Sequence, residues 1–65
     1  MNQKFCYLRR EKRGINGRMM WVAYLPNGTM PADLNWRRVK HDAMKEAHQH
    51  GYVVLPQGMT PDAYL

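Results

Sequence analysis

Over the first twenty-five residues two strand-like runs, apolar at their outer ends and charged where they meet, flank an Asn-Gly pair; a helix's period follows, and then a brief strand-like run. The stretch from Lys4 to Leu25, KFCYLRREKRGINGRMMWVAYL, reads as two strands folded back on each other at Asn16-Gly17. That pair accepts positive φ at both central positions of a type I′ turn, whose twist matches a hairpin. Such a turn sets the register: Ile15 faces Arg18, Arg13 faces Met20, Glu11 faces Val22, Arg9 faces Tyr24 and Leu8 faces Leu25. The pleat then sorts the side chains. One face carries Cys6, Leu8, Arg10, Lys12, Met19, Trp21, Ala23 and Leu25, and the other Phe5, Tyr7, Arg9, Glu11, Arg13, Met20, Val22 and Tyr24. Both faces are apolar toward the open end and charged toward the turn.

A second Asn-Gly pair in Pro26-Asn27-Gly28-Thr29 turns the chain again, into a very short strand at Thr29-Met30 that Pro31 limits. From about Asp33 to His50 the sequence DLNWRRVKHDAMKEAHQH reads as the one helix, capped by Asp33 or Asn35. Trp36, Val39, Ala43 and Ala47 recur at spacings of three and four as a narrow apolar stripe, and the two alanines allow close approach to a sheet. Arg37, His41, Lys45 and His48 lie on the other side, and Gly51 follows as a left-handed C-cap. Tyr52-Val53-Val54-Leu55 is a short strand ended by Pro56, and it pairs antiparallel with the first. The expectation is a small α+β domain of ββαβ order over 4–55: a three-stranded antiparallel sheet in the order second, first, third, with one helix packed on one face. Residues 1–3 read as a frayed start and 56–65 as a tail, with a helical turn begun by Thr60-Pro61-Asp62 and ending in Tyr64-Leu65. Because one helix covers one face, the other is left apolar and exposed, which implies a partner.

Length narrows the function. Sixty-five residues make one domain near the lower limit of unaided folding, without room for separate substrate and cofactor domains. A single cysteine excludes a disulfide framework within the chain and suits a reducing, cytoplasmic setting. The longest apolar run, Met19 to Leu25, is far short of a bilayer span, so no membrane association is expected.

Charge changes the picture most. Ten Lys and Arg face five Asp and Glu, giving +5. Lys4, Arg9, Arg10, Lys12, Arg13 and Arg18 fall in the first eighteen residues with Glu11 as the only acid. A focused positive patch attracts polyanions, so the partner is nucleic acid, DNA or RNA, or an acidic protein surface. The candidate contacts are Arg9, Arg10, Lys12, Arg13 and Arg18 on the hairpin, with Arg37, Arg38 and Lys40 as a second cluster. Arginine's planar fork binds phosphate or a guanine edge in a bidentate manner, and a two-stranded ribbon is narrow enough for the major groove. The bland alternative is a solvated arm that only keeps the protein soluble. Tyr7, Trp21 and Tyr24 are the partner-facing aromatics, able to stack on bases or to anchor a protein interface; the plainer alternative is cross-strand packing. Gly14-Ile15-Asn16-Gly17 superficially looks like the GxxG loop of KH domains, but strands rather than helices flank it. A meander followed by a helix is similar in outline to the small DNA-binding domains of AP2 type and the arm-binding domains of tyrosine integrases, a likeness of element order alone.

Catalysis and cofactors find no support in the sequence. His41 and His48 lie seven apart and His48 and His50 point to different sides, so no pair has chelating spacing and no metal is expected. Cys6 has no activating neighbour apart from general positive charge, and Asp42 next to His41 falls on a solvent face with Arg38 four residues earlier as its partner. The reading is therefore a non-enzymatic nucleic-acid-binding accessory or regulatory factor, with no cofactor, no small-molecule substrate and a homodimer as one arrangement. The alternative is an inhibitor or adaptor of the kind carried by phages and mobile elements, docking on a host protein through the apolar sheet face and the arginine-rich hairpin.

Overall fold

The computed structural model describes residues 3–64, as β1 (Lys4–Arg13), β2 (Arg18–Tyr24), α1 (Lys40–Gln49), β3 (Tyr52–Leu55) and α2 (Pro61–Tyr64). The strands form one mixed sheet in the order β2-β1-β3. β2 is antiparallel to β1, and β3 is parallel to it rather than antiparallel as expected. The fold class is α+β. The expected fraying at 1–3 falls, for residues 1 and 2, outside the described residues, as does Leu65 at the end of the tail.

The hairpin pairs from Arg13↔Arg18 to Tyr7↔Tyr24, so its loop is residues 14–17 and not a two-residue Asn16-Gly17 turn. Gly14 and Gly17 take positive φ, 83° and 62°, whereas Asn16 does not, and the Gly17 N–H donates to the Gly14 carbonyl at 3.1 Å. A glycine at each end puts the left-handed conformation where no Cβ opposes it. The register is displaced by two from the expected one: Leu8 faces Ala23, Arg9 faces Val22 and Glu11 faces Met20. Since the displacement is even, every side chain keeps its face and only the cross-strand partners change. At the second Asn-Gly pair the Leu25 N–H donates to the Thr29 carbonyl at 2.7 Å, yet Thr29 and Met30 form no strand and there is no meander.

The helix begins at Lys40, not at Asp33 or Asn35. Residues 34–39 are non-helical and pass along the outer edge of β2, where Trp21 and Arg37 exchange both backbone hydrogen bonds, at 2.6 and 3.1 Å. The cap position falls to Val39, which offers no side-chain acceptor. One cause explains the late start and the direction of β3. A helix begun at the foot of β2 would climb toward the hairpin loop and return β3 downward, antiparallel to β1. Here the Arg37 segment makes the climb, the ten residues of α1 descend about 15 Å, and β3 climbs again beside β1.

Packing follows from the pleat. On the helix face Cys6, Leu8, Ala23 and Tyr52 are buried against Ala43 and Ala47 of α1, with Leu34, Met44 and Val54 at the margins. The expected stripe is thus half right, since Trp36 and Val39 are exposed and Glu46 is buried in their stead. α1 ends with Gly51 at φ 83°, in the left-handed position expected of it.

The other face is not left bare. The tail returns across it: the Tyr7 hydroxyl donates to the Met59 carbonyl, and Phe5 meets Tyr64 edge to face at 5.6 Å. Leu55 is buried there, and so is Val22, beside which the Trp21↔Arg37 bridge places Trp36. The exposed apolar face from which a partner was inferred is covered by the chain itself.

Candidate nucleic-acid interface

Two carboxylates divide the basic residues into those held by the fold and those left to solvent. Glu11 lies on the tail face between Arg9 and Arg13, which follow at i−2 and i+2 and so point the same way. Its Oε1 accepts from Arg13 Nη2 at 2.9 Å and from the Tyr24 hydroxyl, while Arg9 Nε stands 3.8 Å from Oε2. The Tyr24 oxygen accepts in turn from Arg13 Nη2 at 2.7 Å. These donors, the Tyr24 hydroxyl first, hold the Glu11 carboxyl below its ordinary range, and the same hydroxyl heads the contacts that raise Arg13. Tyr24 stands opposite Tyr7, so to reach Glu11 its ring must lie along the sheet over the Arg9–Val22 pair; the Arg9 guanidinium sits 5.5 Å from its centroid. Arg13 lies 5.6 Å from the centroid of Trp36.

Glu46 does the same on the helix face. Its two oxygens accept from the Asn35 backbone at 3.1 Å, the Asn35 side-chain amide at 3.0 Å, and Arg37 Nε and Nη2 at 3.2 and 3.0 Å. The bidentate Arg37 pair is the main reason that its carboxyl titrates below the ordinary range. Through these bonds α1 clamps residues 35–37 in the extended form that Trp21 pairs with, which is why the helix cannot begin earlier.

Of the eight basic residues expected at an interface, Arg9, Arg13 and Arg37 are thus engaged by carboxylates of the chain. Among the described residues Arg10, Lys12, Arg18, Arg38 and Lys40 pair with none, and all five are exposed. Arg10 and Lys12 stand on the helix face above the core, opposite Trp21 and Met19. Lys40, at the first turn of α1, brings its Nζ to 5.3 Å from the Trp21 ring and so joins the two clusters at one end of the molecule. Arg18 flanks the loop, and the fully exposed Ile15 sits at its tip.

The aromatics are placed differently. Tyr7 is half-buried under the tail, Tyr24 is bonded into the Glu11 network, and Trp21 is half-buried between Lys40 and the Leu8–Ala23–Ala43 cluster. Each meets other parts of the chain, and Trp36, at 43% exposure, shows more of its ring to solvent than the structure allows these three. Sequence reasoning gave Trp36 to the buried stripe of a helix and assigned neither carboxylate a role in dividing the cations. Glu11 was legible, because an acid between two arginines at alternate strand positions shares their face. Glu46 was not, for its partners lie nine and eleven residues away on a segment expected to be helical.

Elsewhere the chemistry is quiet. Cys6 is fully buried and its thiol is pushed up to about 11 by that burial, the opposite of an activated nucleophile. His50 Nδ1 lies 3.6 Å from Asp33, whose other oxygen accepts from the Tyr52 hydroxyl at 3.0 Å. Burial and that bond raise Tyr52. Among the described residues no three His, Cys, Asp or Glu side chains gather closely enough to share a metal ion, and no helix is long and apolar enough to cross a membrane. Comparison with protein-family models, curated proteins and solved structures finds no match to this chain.

Proposed function

We propose that the chain is a non-enzymatic nucleic-acid-binding factor, accessory or regulatory in role and cytoplasmic, that docks its basic β-arm on the sugar-phosphate backbone. The observation that carries this reading is the set of five exposed cations, Arg10, Lys12, Arg18, Arg38 and Lys40, that have no carboxylate partner among the described residues and gather on the distal half of the hairpin and the adjoining start of α1. The arm carries five cations between residues 9 and 18 against the one carboxylate of Glu11, so it stays strongly positive even with Arg9 and Arg13 engaged. Such a cluster draws a polyanion by counterion release.

The arrangement favours duplex over stacked single strand. Tyr7, Trp21 and Tyr24 have their rings or hydroxyls committed inside the chain, which leaves few free faces for unpaired bases, whereas a two-stranded ribbon fits the width of the major groove. The structure also decides which residues to alter. Arg9 and Arg13 belong to the Glu11 network, so reversing their charge would disturb the fold and binding together.

The test is fluorescence anisotropy against a generic duplex and a single strand over a salt series, for the native chain and for Arg10→Glu, Lys12→Glu and Arg18→Glu combined. The expected result is duplex binding whose logarithm falls with log salt at a slope of about −4, as four or five phosphates neutralised would give, and its loss in the triple variant. Absence of binding at low salt to either form retires the reading.

A further inference from the structure

β1 is much longer than the strand that covers its second edge. β3 pairs only with Lys4–Tyr7, and the chain then leaves the sheet at Pro56. Immediately beyond, the Gln57 side-chain amide donates to the Leu8 carbonyl at 2.9 Å, supplying from a side chain the bond that a next strand residue would have made. That bond also fixes the phase of the ladder. The Leu8 carbonyl points to the β3 side, so by alternation the backbone groups of Arg10 and Lys12 point there too, while those of Arg9, Glu11 and Arg13 turn toward β2. Among the described residues no backbone group meets Arg10 or Lys12 on that edge.

A groove of about 240 Å³ opens at the point where β3 stops, lined by Leu8, Lys40, Met44, Val54, Pro56 and Gln57. It lies on the helix face, on the line that a strand continuing β3 would follow. An added strand places every second side chain on that face, so one apolar side chain would enter the groove and the side chains two and four positions along would meet Arg10 and Lys12.

We propose that this edge receives an extended acidic segment of a partner protein, added to the sheet as a strand beside Arg10–Arg13, beyond the Gln57 bond to Leu8, with an apolar residue seated in the Leu8–Met44–Val54 groove and carboxylates against Arg10 and Lys12. Backbone bonds to an open edge give such a complex its affinity and the alternating side chains its specificity. Charge selects the occupant. A second copy would bring its own Arg10 and Lys12 against the first, and like charges across a strand pair oppose pairing; an acidic strand meets no such opposition. This surface is separate from the nucleic-acid reading in what it recognises, backbone amides in register rather than phosphates, but it shares Arg10 and Lys12, so the two ligands exclude each other.

The experiment is an NMR titration of the isotope-labelled chain with the synthetic peptide Thr-Val-Thr-Glu-Thr-Glu-Thr, whose valine and two glutamates fall on one face of an extended strand. Binding is expected to shift the Arg10 and Lys12 amides and slow their hydrogen exchange tenfold or more. Methylating one alternate set of the peptide's amide nitrogens should weaken binding at least tenfold, while methylating the other set leaves it unchanged. Because the modification is on the peptide, no variant of the chain has to fold. Four outcomes overturn the proposal: no binding at millimolar peptide and low salt; equal loss or equal retention for the two methylated peptides, which is attraction by charge alone; slow exchange of the Arg10 and Lys12 amides in the free chain together with a dimer by sedimentation, which makes the occupant a second copy; or the same slowing produced by a DNA duplex in place of the peptide.

Discussion

The two halves of the hairpin are built from the same two strands and have opposite relations to the rest of the molecule. Below the Arg9–Val22 pair, β1 and β2 are covered on both faces, by α1 on one and by the tail and Trp36 on the other, and every inward residue is apolar. Above it only the first turn of α1 and Trp36 reach the strands, at Trp21 and Arg13, and the charged residues crowd onto them. The molecule accordingly reaches 39 Å along its longest axis against 23 and 19 Å across. A small domain gains stability from burial and spends little on an uncovered ribbon, so the ribbon is free to carry a charge pattern that a core could not. The two carboxylates stand at the border: Glu46 ties the covering layer to β2, and Glu11 holds two of the arm's arginines flat against it.

That contrast is most exposed to a change at Glu46. Glu46→Ala leaves Arg37 and Asn35 without their acceptor and releases the clamp on β2's edge; unfolding in urea should show a loss of about 3 kcal/mol, the low end for a broken buried pair because Arg37 is 44% exposed. A loss below half of that would mean that the edge segment holds its place by backbone bonds alone. On the arm the balance inverts. The Arg10, Lys12 and Arg18 triple reversal should lower duplex affinity about a hundredfold or more and leave the urea midpoint nearly unmoved, and a large fall in stability would show that the distal half is not independent of the core.

Val22→Ala tests the border itself. Val22 is fully buried on the face that the helix does not cover, so removing two methyl groups should cost about 2 kcal/mol if Trp36 and Tyr24 form a real second layer, and almost nothing if they are loosely placed. Acid gives a smaller effect with a definite sign. The carboxyls of Glu46 and Glu11 are depressed in the folded state, so their contribution is fully present above the ordinary carboxylate range and is lost as pH falls through the depressed values. Urea titrations at descending pH should show stability falling below about pH 4.5, the unfolded value, with the fall shallower in Glu46→Gln. Smallest of all should be the reactivity of Cys6: fully buried and with its pKa near 11, it should resist alkylation at pH 8 in the native chain and react only at the rate of global opening, which Glu46→Ala should accelerate.

Periodicity carried the local features well. The two strands, the faces of their side chains, Ala43 and Ala47 against the sheet, Gly51 in the left-handed position and the turn after Thr60 all follow from spacing and residue type. The hairpin register was misread because Asn-Gly is a strong turn pair in isolation, whereas Gly14 and Gly17 together permit a four-residue loop. The candidate cations were legible as a cluster, but not their division into engaged and free. That division depends on the reach of Glu11 and Glu46, and only the Glu11 part follows from a strand's alternation.

What the sequence determined by itself is therefore everything set within a few residues: where the chain extends or coils, which side of a strand a residue occupies, and where positive charge accumulates. Tertiary structure decided the direction of β3, the start of α1, the cover over the second face and the edge of β1 left open. These turn on one physical circumstance. Residues 34–39 carry a pattern compatible with a helix, and their backbone groups gain more by pairing with Trp21 and by holding the buried carboxylate of Glu46 than by closing another helical turn. That preference exists only once β2 and α1 stand side by side, so no reading of the segment alone could contain it.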